Sequence, residues 1–221
     1  MRFVLAALAL TLCALAAPAL AAETKFTSDP EAGNNTFSAV FDAAIGERIT
    51  AVSSAVGCTL SVDEATLTGK GTCSVPLTSI RVDNDDVKSD HFRQWATNKK
   101  VDPKKCNFTL ELSPLKLQGP VEPMKPVAFE TEGKFTLCGR ARDDKGAEKI
   151  TGTIIYLPAG SYKDVRTLRI RAKLEGFNRE RYQVGPKWTD GWLARVQQLA
   201  PVVATDGTID VNVFVTTPDG K

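Results

Sequence analysis

The stretch TLRIRAKLEGF, Thr167–Phe177, decides the fold class. Leu168, Ile170, Ala172 and Leu174 fall on one face, Arg169, Arg171 and Lys173 on the other. Successive side chains of a strand point to opposite faces, so a period of two marks a strand with one dry side and one wet side. The pattern recurs on either side of this stretch. In GTIDVNVFV, Ile209, Val211, Val213 and Val215 oppose Asp210 and Asn212. In CNFTLEL, Phe108, Leu110 and Leu112 oppose Asn107, Thr109 and Glu111, and NTFSAVFDA groups Phe37, Ala39 and Phe41. GCTLSV, ATLTG, GTCSVPLTSI, VAFETEGKFTLCGRA and ITGTIIYLP complete a series that starts at Asn35. Many short amphipathic strands joined by short turns predict an all-β sandwich or barrel.

Two segments break this rhythm. In Asp83–Asn98, Val87, His91 and Trp95 stand four apart, one face of a helix. In TDGWLARVQQLAP, Trp192, Val196 and Leu199 group together, with Thr189 as N-cap and Pro201 as stop.

The chain has 221 residues and begins MRFVLAALALTLCALAAPALAAE. Arg2, a short apolar run, Pro18 and the triplet Ala19-Leu20-Ala21 read as a secretory leader, residues 1–21, cut near Ala21–Ala22. An uncleaved anchor is disfavoured by the late proline and small residues. Lipidation at Cys13 is disfavoured by bulky Leu12 and by Ala14, Leu15 and Ala16 continuing the apolar run. Residues 22–221 then suit one domain with no stable membrane span. Lys and Arg number 28 against 26 Asp and Glu, which leaves no field to gather nucleic acid. A homodimer is compatible with the sequence.

Cys58, Cys73, Cys106 and Cys138 remain after cleavage, an even number in an exported chain. Four cysteines allow three connectivities. Cys58–Cys73 and Cys106–Cys138 are preferred, since each pair flanks strands that are near in sequence. There is no C-x-x-C to suggest a redox motif or zinc ribbon.

The only histidine, His91, follows Asp83, Asp85, Asp86 and Asp90. These acids lack the glycine and closing glutamate of a calcium loop. No G-x-S-x-G motif supplies a nucleophile for a histidine base, and Ser89 is too near in sequence. No metal and no catalytic residue are expected. His91 reads first as a folding element that packs the helix on the barrel, or as a residue at a cavity mouth. Asn178 and Arg179 suit either a phosphate or a turn held by side-chain hydrogen bonds, and the turn is preferred.

Three segments carry a resemblance. They are Thr78-Ser79-Ile80 followed by Lys88-Ser89-Asp90-His91-Phe92, then Lys134-Phe135-Thr136-Leu137-Cys138-Gly139, and Phe177-Asn178-Arg179-Glu180-Arg181-Tyr182-Gln183. In this order, with the closing strand Thr208–Val215, the chain resembles the YceI-like family of exported lipid-binding proteins. It departs from the family pattern at Lys88, Ser89 and Phe92, and at Arg181, Tyr182 and Gln183. The resemblance implies an extended antiparallel eight-stranded lipocalin-like barrel with one or two short helices. It also implies a periplasmic or secreted, non-enzymatic protein that holds an isoprenoid quinone, polyprenyl chain or fatty amphiphile, with no other cofactor. The expected lining is Phe37, Phe41, Phe108, Leu110, Leu168, Ile170, Leu174, Val211 and Val213, with Trp188 and Trp192 near one end. Ala39, Gly152 and Ala172 are the small residues expected to keep a tunnel open. The competing readings are a surface-acting β module with a filled interior, and a secreted enzyme using His91.

Overall fold

The computed structural model describes residues 23–32, 34–43, 46–63, 66, 68–189 and 203–218. The leader lies outside them. The elements run β1 (Glu23–Ser28), β2 (Thr36–Ala43), β3 (Arg48–Ser53), β4 (Gly57–Asp63), β5 (Thr68–Pro76), β6 (Arg81–Val82) and helix α1 (Asp86–Thr97). They continue with β7 (Asn107–Leu112), β8 (Lys116–Leu117), β9 (Pro126–Leu137), β10 (Arg140–Ala141), β11 (Glu148–Leu157), β12 (Thr167–Asn178), helix α2 (Pro186–Thr189) and β13 (Val203–Thr216).

Eight antiparallel strands close a barrel in the order β1, β4, β5, β7, β9, β11, β12, β13. β13 returns to β1 through Thr27 opposite Thr216 and Ser28 opposite Val215. The fold is the lipocalin-like barrel with two short helices that the resemblance implies.

β13 is long enough to have two neighbours on one side. Its C-terminal end pairs with β1, and its N-terminal half pairs with β2, which leads on to β3 and β6. Asn35 mends the junction between them. Its side chain accepts from the Phe214 amide at 2.9 Å and donates to the Asp29 carbonyl at 2.7 Å. Backbone groups that lose a strand partner in the interior need such a substitute.

The alternation of β9 is read out almost without error. Val127, Phe129, Thr131, Phe135 and Leu137 are buried and face inward, while Pro126, Ala128, Glu130, Glu132 and Lys134 are exposed. β12 behaves alike, with Leu168, Ile170 and Leu174 buried. On the outer face, Arg169 lies over the Phe214 ring at 5.3 Å, and Tyr162 adds a second ring at 5.4 Å. Phe214 is therefore buried although it points away from the interior.

Both preferred disulfides are present. Cys58 and Cys73 join directly opposed positions of β4 and β5, and Cys106–Cys138 ties the start of β7 to the end of β9.

Three expectations need correction. β1 and β3 did not stand out in the sequence, because Glu23–Ser28 has a single apolar side chain on its inner face, Phe26, and β3 offers only Ile49 and Ala51. Gly152 does face inward but opens no tunnel. It sits opposite Phe129, and a Cβ there would collide with the Arg171 carbonyl and lie 2.7 Å from that ring, so the missing side chain is space for the neighbouring strand and the phenyl group. Val87 is 64% exposed and takes no part in packing α1. Thr189 is the last residue of α2, and its hydroxyl donates to Gly185 O at 3.5 Å; the segment it was expected to cap lies outside the described residues. Trp192, Val196 and Leu199 lie outside the described residues.

Candidate functional site

The barrel interior holds three apolar spaces end to end, and β12 runs past all of them. Leu168 lines a chamber of about 260 Å³. Ile170, Ala172 and Leu174 line a waist of about 50 Å³. Phe177 lines a second chamber of about 490 Å³ under α1. The spaces share walls. Leu60, Leu112 and Leu115 belong to the first chamber and the waist, Phe108 and Ile209 to the waist and the α1 chamber. From Leu168 to Phe177 is roughly 30 Å of strand at the usual rise per residue.

Most of the expected lining is here. Phe37, Leu110, Ile170, Leu174, Val211 and Val213 face the waist, with Ala172. Phe108 spans the waist and the α1 chamber, Phe41 and Ala39 line that chamber, and Leu168 lines the other. Trp188 borders none of the three spaces. It is partly exposed on α2, with Lys187 Nζ 4.9 Å from its ring centre. Sequence reasoning passed over Phe129, Phe135 and Ile150, although the alternation of β9 and β11 held the signal. It also passed over Phe92 and Trp95, which α1 turns toward its chamber.

α1 is fixed at both ends. Asp85 caps its start by accepting from the Lys88 amide at 3.0 Å, and that bond holds the Asp85 carboxyl below the usual carboxylate range. Ser89 is fully buried. Its hydroxyl accepts from the Val82 amide at 2.9 Å and donates to Asp85 O at 2.6 Å. At the other end, Asn98 adopts a left-handed conformation at φ 53°. Its amide nitrogen donates to Trp95 O at 2.9 Å and Gln183 O at 2.8 Å. Arg140 donates to Ala96 O and to Tyr182 O, the latter at 3.1 Å.

The acids before His91 are each spent separately. Asp83 accepts from the Thr50 amide at 2.8 Å and holds Lys88 Nζ at 2.8 Å. Asp86 meets Arg81 at 3.1 Å, and Asp90 meets Arg93 at 2.5 Å. Among the described residues, no group of three His, Cys, Asp or Glu side chains is placed to hold a metal ion. His91 itself is exposed and lies on the rim of the α1 chamber. It does not pack the helix on the barrel. Phe92, Trp95, Ala96 and Ser89 do that, because the buried face of α1 is rotated by about one residue from the spacing of Val87, His91 and Trp95.

The turn after β12 is stapled by its side chains. Asn178 accepts from the Glu180 and Arg181 amides at 3.0 and 3.2 Å. Arg179 donates from Nε to Ala204 O at 3.0 Å, from Nη1 to Val184 O at 2.7 Å and from Nη2 to Val203 O at 2.8 Å. Tyr182 is fully buried, and its hydroxyl donates to Glu148 at 2.6 Å. Burial pushes that hydroxyl well above its ordinary pKa, and the carboxylate beside it adds to the shift, so it stays a donor.

A closed antiparallel eight-stranded barrel with a row of apolar spaces inside it is a lipocalin-like fold. No family profile matches the chain, and no curated protein does. Among solved structures it is similar to a polyisoprenoid binding domain from Saccharophagus degradans implicated in plant cell wall breakdown. The two share 12% identity and a TM-score of 0.58, over 89% of this chain and 100% of that one. The likeness is one of fold.

Proposed function

We propose that the protein is an exported carrier or store for a long-chain amphiphile, an isoprenoid or fatty lipid, held along the barrel axis. The observation that carries this reading is the row of chamber, waist and chamber, each mainly apolar in its lining and joined to the next through the shared walls Leu60, Leu112, Leu115, Phe108 and Ile209. Each methylene moved from water into such walls gains about 0.8 kcal/mol, so a long tail binds tightly without any charged contact. The likeness to a polyisoprenoid binding domain supports the same reading. Two disulfides suit an oxidising compartment outside the cytoplasm.

Ala172 is the residue on which to test it. It lines the waist, where about 50 Å³ leaves no room for an indole and a lipid tail together. Protein exported by its own host should carry a lipid adduct in native mass spectrometry, identified after organic extraction. Ala172→Trp should reduce uptake of long-chain lipid at least about tenfold, the equivalent of two buried methylenes. Unchanged uptake by a folded Ala172→Trp protein would refute the proposal.

A further inference from the structure

The lining of the α1 chamber is electrostatically one-sided. Lys88, His91, Lys99 and Arg179 border it beside the neutral Gln94, and among the described residues no carboxylate does. Asp83 offsets the charge of Lys88. Arg179 is held differently: Glu180 acts on it as a nearby charge, but among the described residues it makes no hydrogen bond to a carboxylate. Its three bonds go to main-chain carbonyls. A guanidinium has five N–H donors, so among the described residues two are left over, one on each terminal nitrogen. Burial lowers the pKa of Arg179, and the nearby Glu180 charge opposes that shift only in part. Nearby, α1 sets polar groups and apolar ones along a single boundary. Phe92 and Trp95 are partly buried against the core, while Lys88, His91 and Gln94 are exposed. The opposite chamber differs, since its Lys70 is held by Glu23 at 3.0 Å.

We propose that the α1 chamber seats the head of an amphiphile ending in an oxyanion, a carboxylate or a phosphate monoester, between Arg179 and His91. Its tail runs past Phe92 and Phe108 into the waist. The inference rests on the carrier reading and adds to it the charge and orientation of the ligand. A half-buried guanidinium with two donors left over suits an oxyanion in both charge and geometry, and it binds one more strongly than an exposed lysine does. A neutral head would leave that charge as it is.

The test uses two pairs of probes with matched tails, oleate against oleyl alcohol and farnesyl phosphate against farnesol. Each is titrated against N-phenyl-1-naphthylamine bound to the whole mature chain. At least one acid should bind about tenfold or more tighter than its alcohol, and the preference should shrink as salt rises. The pair that shows it distinguishes carboxylate from phosphate. Gln94→Glu and His91→Glu place a carboxylate at exposed helix positions on the rim, and each should lower the acid-to-alcohol ratio at least about tenfold. Alcohols binding as well as acids would overturn the head-group assignment and leave the carrier reading standing. A preference that survives both substitutions would overturn its placement at this mouth. Failure of all four probes to bind would overturn both readings.

Discussion

The two ends of the barrel interior are made of different material. Around the α1 end, Phe108, Phe135, Phe177 and Tyr182 meet edge-on or stacked, with ring centres 5.0 to 5.8 Å apart. The cluster is tied down by the Tyr182–Glu148 hydrogen bond, by Arg140 and by the Cys106–Cys138 disulfide. The opposite end is mainly aliphatic: Leu60, Val62, Leu112, Leu115, Ile154 and Leu168 surround its chamber. Aromatic contacts have preferred angles and, in tyrosine, a polar handle, whereas aliphatic contacts supply area without direction. The lesson is that the α1 end is built beside rings whose contact angles are set, while the opposite end is enclosed mainly by side chains that pack without direction.

Tyr182→Ala should show the largest effect. It removes a fully buried ring and leaves Glu148 with only Arg142 at 3.3 Å. A loss of about 3–5 kcal/mol is expected in urea unfolding. Leu168→Ala, at the aliphatic end, faces a chamber already open, and about 2–3 kcal/mol is expected. Equal losses at the two ends would break the distinction drawn between them.

Ser89→Ala sharpens the same comparison at the level of one hydroxyl. The change strands the Val82 amide, a cost of about 1–3 kcal/mol. Because the bond links α1 to β6, the loss should appear as faster amide exchange through α1, with the aliphatic end unchanged. Protection that falls equally across the barrel would mean that α1 is not a separately fastened part.

The strands were legible because they repeat a two-residue period, which left sandwich and barrel both open; the choice of a barrel came from the resemblance. The disulfides were legible because each joins strands close in sequence, with Cys58 and Cys73 only 15 residues apart. What sequence hid depends on distant partners. Asp83 is committed to Thr50, 33 residues away, and Tyr182 to Glu148, 34 residues away. Neither pair carries a local signal. Ser89 was weighed as a nucleophile beside His91, and its packing role appears only when β6 is seen beneath the helix. The chambers were hidden as well: alternation names the inward face but not where inward side chains fail to meet. Gly152 shows the converse, a small residue whose space a neighbour fills.

His91→Ala should have the smallest effect on stability. The sequence reading of His91 as a packing residue requires a buried ring with satisfied nitrogens, and its removal would then cost 1 kcal/mol or more. The ring is exposed on the rim instead, and Phe92 and Trp95 carry the helix onto the barrel. Truncation at an exposed site should therefore shift stability by no more than about 0.5 kcal/mol, read from the urea midpoint at constant slope. The same variant should keep its affinity for oleyl alcohol while losing affinity for whichever acid the native chain prefers. A destabilised His91→Ala protein would return the residue to the folding role, and the α1 end would then be held by its rim as well as by its aromatic wall.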